Sequence, residues 1–159
     1  MRYAEGEDPL RIIIDPSIEI PKKAKLLEKD PHKTIIICSG DANKEKVRKL
    51  KKTGAQVIPC PKIKNGRLDL KYALKKLGKR KITSILLEGG GETIAGAVEA
   101  RVADKAVFFI APMIIGGKQA LTPVEGEGCE NLTQVVNLID VKYERIGDDI
   151  MIEGYLNYA

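Results

Sequence analysis

The sequence predicts an α/β fold in three layers, with a mostly parallel sheet and an antiparallel hairpin at the C-terminal end. Short apolar runs rich in β-branched residues alternate with segments of helical periodicity, which is typical of a parallel sheet covered by helices on both faces. The last stretch, 141–155, instead alternates apolar and polar residues around Gly147-Asp148, which is the pattern of a hairpin. Because 159 residues without an internal repeat or a linker are the size of one ordinary domain, residues 1–159 are expected to form a single domain.

The first half of the chain contains three predicted strands. The first two are runs of isoleucine that end at a turn signal, Asp15-Pro16 after one and Ser39-Gly40 after the other. The third is shorter, because Pro61 stops it. The segment before the first strand is polar and is expected to be a loop, and a proline-rich connection follows that strand. The expected ranges are loop 1–10, strand 10–15, connection 16–33 with a short helical turn at 24–27, strand 33–38 and strand 56–59.

Two helices are predicted in the same half. Helix 43–53 has a capping Asn43, a narrow apolar stripe and a terminal Gly54, and helix 68–77 has apolar residues at helical spacing and ends at Gly78. Lysines cover the other faces and account for most of the formal charge of +5. Because aromatic residues are not interleaved with these lysines, a solvated surface is favoured over nucleic-acid binding.

Residues 83–96, TSILLEGGGETIAG, carry the predicted function. The apolar run 82–87 is expected to be the central strand of the sheet, and Glu88 would stand at its carboxyl edge, where α/β sheets bind ligands. The three glycines that follow permit a sharp turn and a close backbone approach, and helix 93–103 would point its N–H groups at an anion such as a phosphate. Because the spacing is neither G-x-G-x-x-G nor a Walker A loop, a tight strand–helix turn without a ligand remains the alternative.

The C-terminal part is predicted to contain three further strands. A strand at 105–111 leads to a second glycine turn at 114–117, then to a loop-rich segment, 118–137, and to the hairpin strands 141–145 and 150–155. The apolar strand and the hairpin supply more exposed edge than one small domain needs. We therefore expect the protein to form a homodimer, because unpaired edges are a liability.

Few residues of the types that usually carry catalysis are present. Cys38, Cys60 and Cys129 are isolated and contain no C-x-x-C pair, which indicates neither a zinc site nor a disulfide framework and fits a reducing cytoplasm. The single histidine, His32, lies beside a proline in a predicted loop, and the acids form no metal motif by spacing. No apolar run is long enough to span a membrane, and no signal peptide is found. A phosphate turn without an acid–base constellation favours hydride transfer, in which the cofactor carries the chemistry.

Four landmarks occur in the order in which one known family has them, and together they span essentially the whole chain. They are the first strand with Pro9-Leu10-Arg11 before it and Asp15 at its end, Leu-Leu-Glu-Gly-Gly at 86–90, Ala-Pro-x-x-x-Gly-Gly at 111–117, and Gly147-Asp148-Asp149-Ile150 in the hairpin. On these residues the sequence resembles the C-terminal reductase domain of the bifunctional riboflavin-biosynthesis protein, the RibD C-terminal domain family. The resemblance implies a dihydrofolate-reductase-like fold. Dihydrofolate reductases share the glycine pair but do not normally place a glutamate before it.

The resemblance implies an NADPH-dependent reductase. The expected reaction converts the ribosyl group of a ribosylaminopyrimidine 5′-phosphate to a ribityl group, so the expected partner is a small phosphorylated pyrimidine, with neither nucleic acid nor membrane. By the same resemblance Glu88 would contact the substrate, while the proton donor stays unassigned. The residues expected at the cofactor are Asp15, Pro16, Ser39, Gly89, Gly90, Gly91, Glu92, Thr93, Ile94, Ala95 and Gly96.

The family pattern is only partly covered, because its N-terminal third has no counterpart in this sequence. We therefore expect a C-terminal fragment of a longer product, with little activity on its own. The zinc deaminase signature that accompanies the family is also not found, since Pro59-Cys60-Pro61 does not match it. Two alternatives stay open: another dihydrofolate-reductase-like enzyme with a pterin-like substrate, and a non-catalytic module for nucleotide binding or dimerisation.

Overall fold

The computed structural model describes residues 6–117 and 119–158. Positions 1–5 of the predicted N-terminal loop, Lys118 of the predicted loop-rich segment and the last residue lie outside the described part. The chain divides into two compact units, an N-terminal unit, Met1–Thr83, and a C-terminal unit, Ser84–Ala159. Each unit is built on a three-stranded sheet of its own.

The N-terminal unit contains the parallel sheet that the isoleucine runs predicted. Its strands are β1 (Arg11–Ile14), β2 (Thr34–Ser39) and β3 (Gln56–Cys60), in the order β1-β2-β3 with both pairings parallel. All six residues of β2 are buried, as expected of a central parallel strand that is covered on both faces. All three strands predicted for this half are confirmed.

Three helices belong to the same unit, together with a short 3-10 helix at Pro31–Lys33. They are α1 (Lys25–Glu28), α2 (Lys44–Lys52) and α3 (Leu70–Gly78). The predicted cap of α2 is confirmed, because the Asn43 side chain accepts hydrogen bonds from the N–H groups of Glu45 and Lys46. The sequence analysis missed the cap of α3, where the Asp69 side chain accepts from Tyr72 N–H.

The core of the N-terminal unit has two halves, one on each face of the sheet. Because side chains alternate along a strand, successive residues of β2 face different clusters. Ile35 and Ile37 pack in one cluster with Ala73 and Leu77 of α3. Ile36 and Cys38 pack in the other cluster, on the opposite face of the sheet. That second cluster also contains Leu50 of α2 and the buried Ile18 and Leu27 from the segment between β1 and β2. The α/β class, the helix–sheet–helix layering and the parallel sheet are therefore confirmed.

The predicted central strand 82–87 is wrong. In the structure this run lies outside every strand, and Ile85, Leu86 and Leu87 are 41%, 81% and 39% exposed. The run has the apolar, β-branched composition of a buried strand, but a strand exists only where a neighbour accepts and donates its backbone hydrogen bonds. Among the described residues no such neighbour pairs with 82–87.

In its described part the C-terminal unit contains one α-helix, a short 3-10 helix at Leu132–Gln134 and an antiparallel sheet. The helix α4 (Gly91–Glu99) begins and ends earlier than predicted, because Gly90 caps it and Arg101, at φ +53°, leaves the helical region. The strands β4 (Lys105–Ile110), β5 (Asn137–Ile146) and β6 (Asp149–Asn157) lie in the order β4-β6-β5. The hairpin and its turn at Gly147-Asp148 are confirmed, while the strand predicted at 105–111 joins this antiparallel sheet.

Apolar side chains are much less buried in the C-terminal unit. Its buried apolar side chains, among the described residues, are Ala95 and Ala97 of α4. Residues of the glycine turn at 114–117 and of β4 stay open to solvent, and Ile114 is 99% exposed. The helices described in the two units reach nine residues at most, so none of them can cross a membrane.

Candidate functional site

The first candidate region is the glycine turn that starts α4. Gly90 is the N-cap of the helix and has φ +43°, a conformation that side chains other than glycine rarely adopt. Its carbonyl accepts hydrogen bonds from Thr93 N–H at 3.0 Å and Ile94 N–H at 3.1 Å. These two N–H groups are thus used inside the turn, and an anion would have to be held by the N–H groups that precede them.

The three consecutive glycines have three different surroundings. Apart from the adjoining residues, no described heavy atom lies within 4 Å of a Cβ added at Gly89 or at Gly90, so the turn leaves open space on that side. A Cβ at Gly91 would lie 2.5 Å from Cγ of Glu125, whose own N–H donates to the Gly91 carbonyl at 3.3 Å. Of these three glycines, Gly91 is the one at which an added Cβ would force a neighbouring side chain, that of Glu125, to move.

Glu125 belongs to a loop segment that lies along α4. A Cβ at the next residue, Gly126, would meet the Cβ of Ala95 and a carboxylate oxygen of Glu99, each at 2.9 Å. The segment therefore follows the helix face formed by Gly91, Ala95 and Glu99, which are spaced four residues apart. Sequence reasoning missed this contact, because a loop that packs by close approach has no periodicity to reveal it.

Three carboxylate side chains lie near the glycine turn. Glu88 is exposed directly before the turn, Glu92 lies in the first turn of α4, and the half-buried Glu125 packs against Gly91. A carboxylate in the first turn of a helix stabilises the helix dipole. What the turn offers to an anion is therefore its shape and its N–H groups, because a carboxylate attracts no phosphate.

The predicted residues further along α4 lie in the body of the helix. Ala95 is buried, whereas Thr93, Ile94 and Gly96 are half-buried. Because Ala95 packs inside the protein, its side chain supports the helix instead of facing an open ligand site. The structure thus brings Gly89, Gly90 and Gly91 together as a turn.

The second candidate region is the carboxyl edge of the parallel sheet in the N-terminal unit. Asp15 follows β1, and its carboxylate accepts hydrogen bonds from the N–H groups of Glu19 and Ile20 at 2.8 to 2.9 Å. The carbonyl of Pro16 accepts from Ser39 N–H at 3.0 Å, which joins the exits of β1 and β2. The structure therefore places Asp15, Pro16 and Ser39, which the sequence analysis assigned to the cofactor, next to one another.

Ser39 is buried and has a partner that the sequence did not reveal. Its hydroxyl donates a short hydrogen bond to the Asp41 carboxylate, and both oxygens of that carboxylate accept from the Lys62 ammonium at 3.1 Å. The Ser39 hydroxyl and then Lys62 lower the pKa of Asp41 below its ordinary value. Because the Ser39 proton is committed to Asp41, the serine presents lone pairs to anything else that approaches.

A small cavity opens between α2 and the ends of β2 and β3. Its volume is about 190 Å³, which is below the roughly 300 Å³ of a typical small-molecule site and therefore suits only part of a dinucleotide. Burial raises the pKa of the Cys38 thiol, which makes it a poor nucleophile. The residues that line the cavity include Cys38, Ser39, Gly40, Lys44, Val57 and Pro59.

Comparison with known proteins identifies close similarities over nearly the whole chain. The family described as RibD C-terminal domain matches residues 1–152. Riboflavin biosynthesis protein RibD of Actinobacillus pleuropneumoniae is 34% identical over 152 residues, which cover 96% of this chain and 40% of that protein. The 2,5-diamino-6-ribosylamino-4(3H)-pyrimidinone 5′-phosphate reductase of Methanothermobacter thermautotrophicus is 30% identical over 150 residues, which cover 94% of this chain and 67% of that protein.

A solved structure has the same fold. RibD of Acinetobacter baumannii, in its form 2, superposes with a TM-score of 0.73 at 22% identity, covering 94% of this chain and 38% of that one. The chain thus spans about two fifths of the length of these RibD relatives and about two thirds of the reductase relative.

Proposed function

The chain belongs to the RibD C-terminal domain family, and we propose from this premise that it serves a reductase of riboflavin biosynthesis. The proposed reaction reduces the ribosyl side chain of a ribosylaminopyrimidine 5′-phosphate to a ribityl chain, with NADPH as the reductant. The observation that carries the proposal is the family match over 1–152, since relatives that align with this same region are named pyrimidinone 5′-phosphate reductases. Such relatives imply a nicotinamide cofactor, and the choice of NADPH is part of the proposal.

The glycine turn supports a cofactor role by its shape. The open space beside Gly89 and Gly90 is where a Cβ would stand, so a pyrophosphate can approach the backbone there. We propose that Gly89–Gly91 and the N–H group of Glu92 hold this part of the cofactor. The next residues, Thr93 to Gly96, support the turn from within α4, because the N–H groups of Thr93 and Ile94 are bonded to Gly90 and Ala95 is buried. We also propose that Pro16 and Ser39 meet the adenosine end of the cofactor. Asp15 is the remaining residue that the sequence analysis assigned to the cofactor.

Glu88 is the residue that we assign to the substrate. It is exposed directly before the glycine turn, and a carboxylate accepts hydrogen bonds from sugar hydroxyls or from a pyrimidine amino group. When bound, the cofactor would supply a hydride to C1′ of the opened, imine-like ribosylamine, and a proton from solvent would complete the reduction at the imine nitrogen. The role of Glu88 is to orient the sugar, because hydride transfer needs donor and acceptor within about 3–3.5 Å.

The test is NADPH oxidation with the ribosylaminopyrimidine phosphate and, separately, with dihydrofolate. We expect this chain alone to bind NADPH but to turn over slowly, and a form extended to the length of the reductase relatives to turn over the ribosylamine phosphate. Glu88→Gln in the extended form should lower kcat/KM about 10²-fold while leaving NADPH affinity unchanged, because it removes an orienting contact. Turnover of dihydrofolate alone would support the alternative reductase, and NADPH binding without turnover in either form would support a non-catalytic module.

We further propose that residues 1–159 are part of one reductase domain and that the domain assembles as a homodimer in the cytoplasm. The exposed apolar side chains of the C-terminal unit support pairing, since patches of this kind mark interaction surfaces. The free cysteines, Cys38, Cys60 and Cys129, support a reducing compartment. The exposed residues that support pairing are Val107, Phe109, Ile110, Tyr143, Ile150 and Tyr155.

A further inference from the structure

The turn after β1, residues 15–20, is held by side chains that bind both its backbone N–H groups and its backbone carbonyls. On one side the Asp15 carboxylate accepts the N–H groups of Glu19 and Ile20 at 2.8 to 2.9 Å. On the other side the Lys46 ammonium, which comes from α2, donates to the carbonyls of Ser17 at 3.1 Å and Ile18 at 3.0 Å. The carboxylate thus binds backbone N–H groups of the turn, and the ammonium binds its backbone carbonyls. We call these charge-assisted hydrogen bonds of Asp15 and Lys46 the clamp.

The backbone inside this clamp is strained. Ile18 has φ +55°, a conformation that is rare for any residue with a Cβ and rarer still for a β-branched one. Its side chain is nevertheless buried, at 5% exposure, in the core cluster on the α2 face of the sheet. Such strain persists only where the surroundings over-determine it, and it concentrates at functional sites.

The clamp determines which residues the turn displays. While Ile18 is drawn into the core, Pro16 and Ser17 are exposed at the carboxyl edge of the parallel sheet, where α/β proteins bind ligands. The Pro16 carbonyl also accepts from Ser39 N–H at 3.0 Å, so the displayed part of the turn is fixed to the exit of β2. The carboxylate of Asp15 points at its own turn and is occupied there.

We propose that Asp15 and Lys46 are positioning residues, which hold the 15–20 turn in the shape that receives the adenosine end of the dinucleotide. The inference rests on the proposed function for the ligand, and it changes the roles of two residues. Asp15 acts on the backbone of its turn instead of touching the cofactor, and Lys46 acts on the same turn instead of being a solvated lysine. Pro16 and Ser17 are the residues that the clamp presents.

Two substitutions of opposite charge separate this role from a general electrostatic effect. Asp15→Asn removes a negative charge and puts an amide donor against an N–H donor, whereas Lys46→Met removes a positive charge and both carbonyl contacts. Simple electrostatics predicts that the first strengthens and the second weakens the binding of an anion. The clamp predicts that both weaken it, because both release the turn.

The measurement is the affinity of the 159-residue chain for NADPH and for 2′,5′-ADP, which is its adenosine half. We expect both substitutions to raise both Kd values about tenfold, which corresponds to ~1.4 kcal/mol. Lys46→Arg keeps a charged donor and should recover most of the affinity. The matched controls are Glu19→Gln, which removes a charge from the same turn, and Lys52→Met, which removes one from the same helix, and neither should raise a Kd more than about twofold.

Amide hydrogen exchange reports on the turn without any ligand. Asp15→Asn and Lys46→Met should accelerate exchange at the N–H groups of Glu19, Ile20 and Ser39, whereas Lys52→Met should leave all three unchanged. Unchanged exchange rates in Lys46→Met would overturn the clamp itself.

The two ways of failing are distinguishable. If the parent chain binds NADPH and both clamp variants bind it equally well, the positioning role is overturned and the cofactor assignment stands. If the parent chain binds neither probe, the cofactor assignment is wrong and the positioning role falls with it. If amide hydrogen exchange is nevertheless accelerated in the two clamp variants, the clamp only stabilises the fold. Tighter binding in Asp15→Asn with weaker binding in Lys46→Met would show a charge effect and overturn the proposal.

Discussion

The parallel sheet of the N-terminal unit and the antiparallel sheet of the C-terminal unit contain similar apolar residues but bury them to different extents. Every residue of β2 is buried, whereas Phe109 and Ile110 of β4 are 62% and 51% exposed. Two helices and the segment before β2 cover the two faces of the parallel sheet, and both described core clusters belong to it. The side chains of α4 that are buried in the C-terminal unit are alanines, which cover little area.

This contrast suggests a different role for each unit, stability for the N-terminal unit and binding for the C-terminal unit. A buried aliphatic side chain contributes roughly 1.5–3 kcal/mol relative to an exposed one, so most of the hydrophobic stabilisation from the described buried side chains belongs to the N-terminal unit. The C-terminal unit keeps its apolar side chains and its glycine turn accessible, which is the condition of a surface that binds something else. Substitutions of the same kind should therefore have different effects in the two units.

The largest expected effect is on stability in the N-terminal unit. Leu77→Ala removes a side chain that is 1% exposed between α3 and the parallel sheet, and it should lower the free energy of unfolding by about 2–5 kcal/mol. The matched change in the C-terminal unit, Leu86→Ala, removes a side chain that is 81% exposed and should change it by less than ~0.5 kcal/mol. Urea unfolding of both variants measures this, and equal losses would remove the contrast between the units.

The next effect is on binding in the C-terminal unit. Gly90→Val and Gly66→Val place the same branched side chain at a positive φ, +43° and +81°. In the described part of the chain neither added Cβ meets an atom within 4 Å beyond its adjoining residues. Both should lose about 1–3 kcal/mol of stability through backbone strain. Only Gly90→Val should also abolish NADPH binding in a fluorescence titration, because its side chain takes the space beside the turn. Parent-like affinity in Gly90→Val would exclude the glycine turn as the cofactor site.

A third substitution tests the loop that packs on α4. Gly91→Ala should destabilise the protein by about 1 kcal/mol, because the new Cβ would lie 2.5 Å from Cγ of Glu125 and this side chain would have to move aside. Glu125→Ala in the same chain shortens the opposing side chain and should recover most of the loss. Thermal unfolding of the two single variants and the double variant gives the interaction energy between positions 91 and 125. Additive effects would show that Glu125 does not pack against the turn in solution.

A fourth substitution tests whether exposed apolar residues of the C-terminal unit pair with a second copy. Phe109→Glu places a charge on β4 and should convert the expected dimer to a monomer in light scattering at micromolar concentration. Ile63→Glu makes the same kind of change at a residue that is 46% exposed in the N-terminal unit, and it should leave the dimer intact. A dimer that survives Phe109→Glu would place the pairing surface away from this residue.

The smallest expected effect is a titration in the N-terminal unit. The Ser39 hydroxyl and Lys62 hold the pKa of Asp41 below its ordinary value of 3.8, so their contribution is fully present above that pH and is lost as the pH falls through the lower, folded-state pKa. Lys62→Met should bring the pKa of Asp41 back toward 3.8, while the Ser39 hydrogen bond keeps part of the shift. An NMR-monitored pH titration of the carboxyl groups measures the pKa of Asp41 in the parent and in Lys62→Met. An unchanged pKa in the variant would show that the ion pair is absent in solution.

Local signals in the sequence were sufficient for much of the fold. The isoleucine runs, the Asn43 cap and the Gly147-Asp148 turn depend on residues a few positions apart, so periodicity and turn chemistry predicted β1, β2, α2 and the hairpin. The family followed from motifs of the same local kind, since Leu-Leu-Glu-Gly-Gly and its companions can be read without knowing any contact. The glycine turn at the start of a helix was also predicted, although the helix begins at Gly91.

What the tertiary structure decided depends on residues far apart in the chain. An apolar run such as 82–87 becomes a strand only when a neighbour pairs with it, and nothing within the run specifies that neighbour. Likewise, the packing of Glu125 against Gly91 and the contacts of Lys46 with the turn after β1 join positions about 30 residues apart, without a pattern that marks them in advance. Composition and spacing determined which residues can form strands, helices and a phosphate turn. Long-range packing decided which of them do, because each such contact must offset the conformational entropy of ordering both partners.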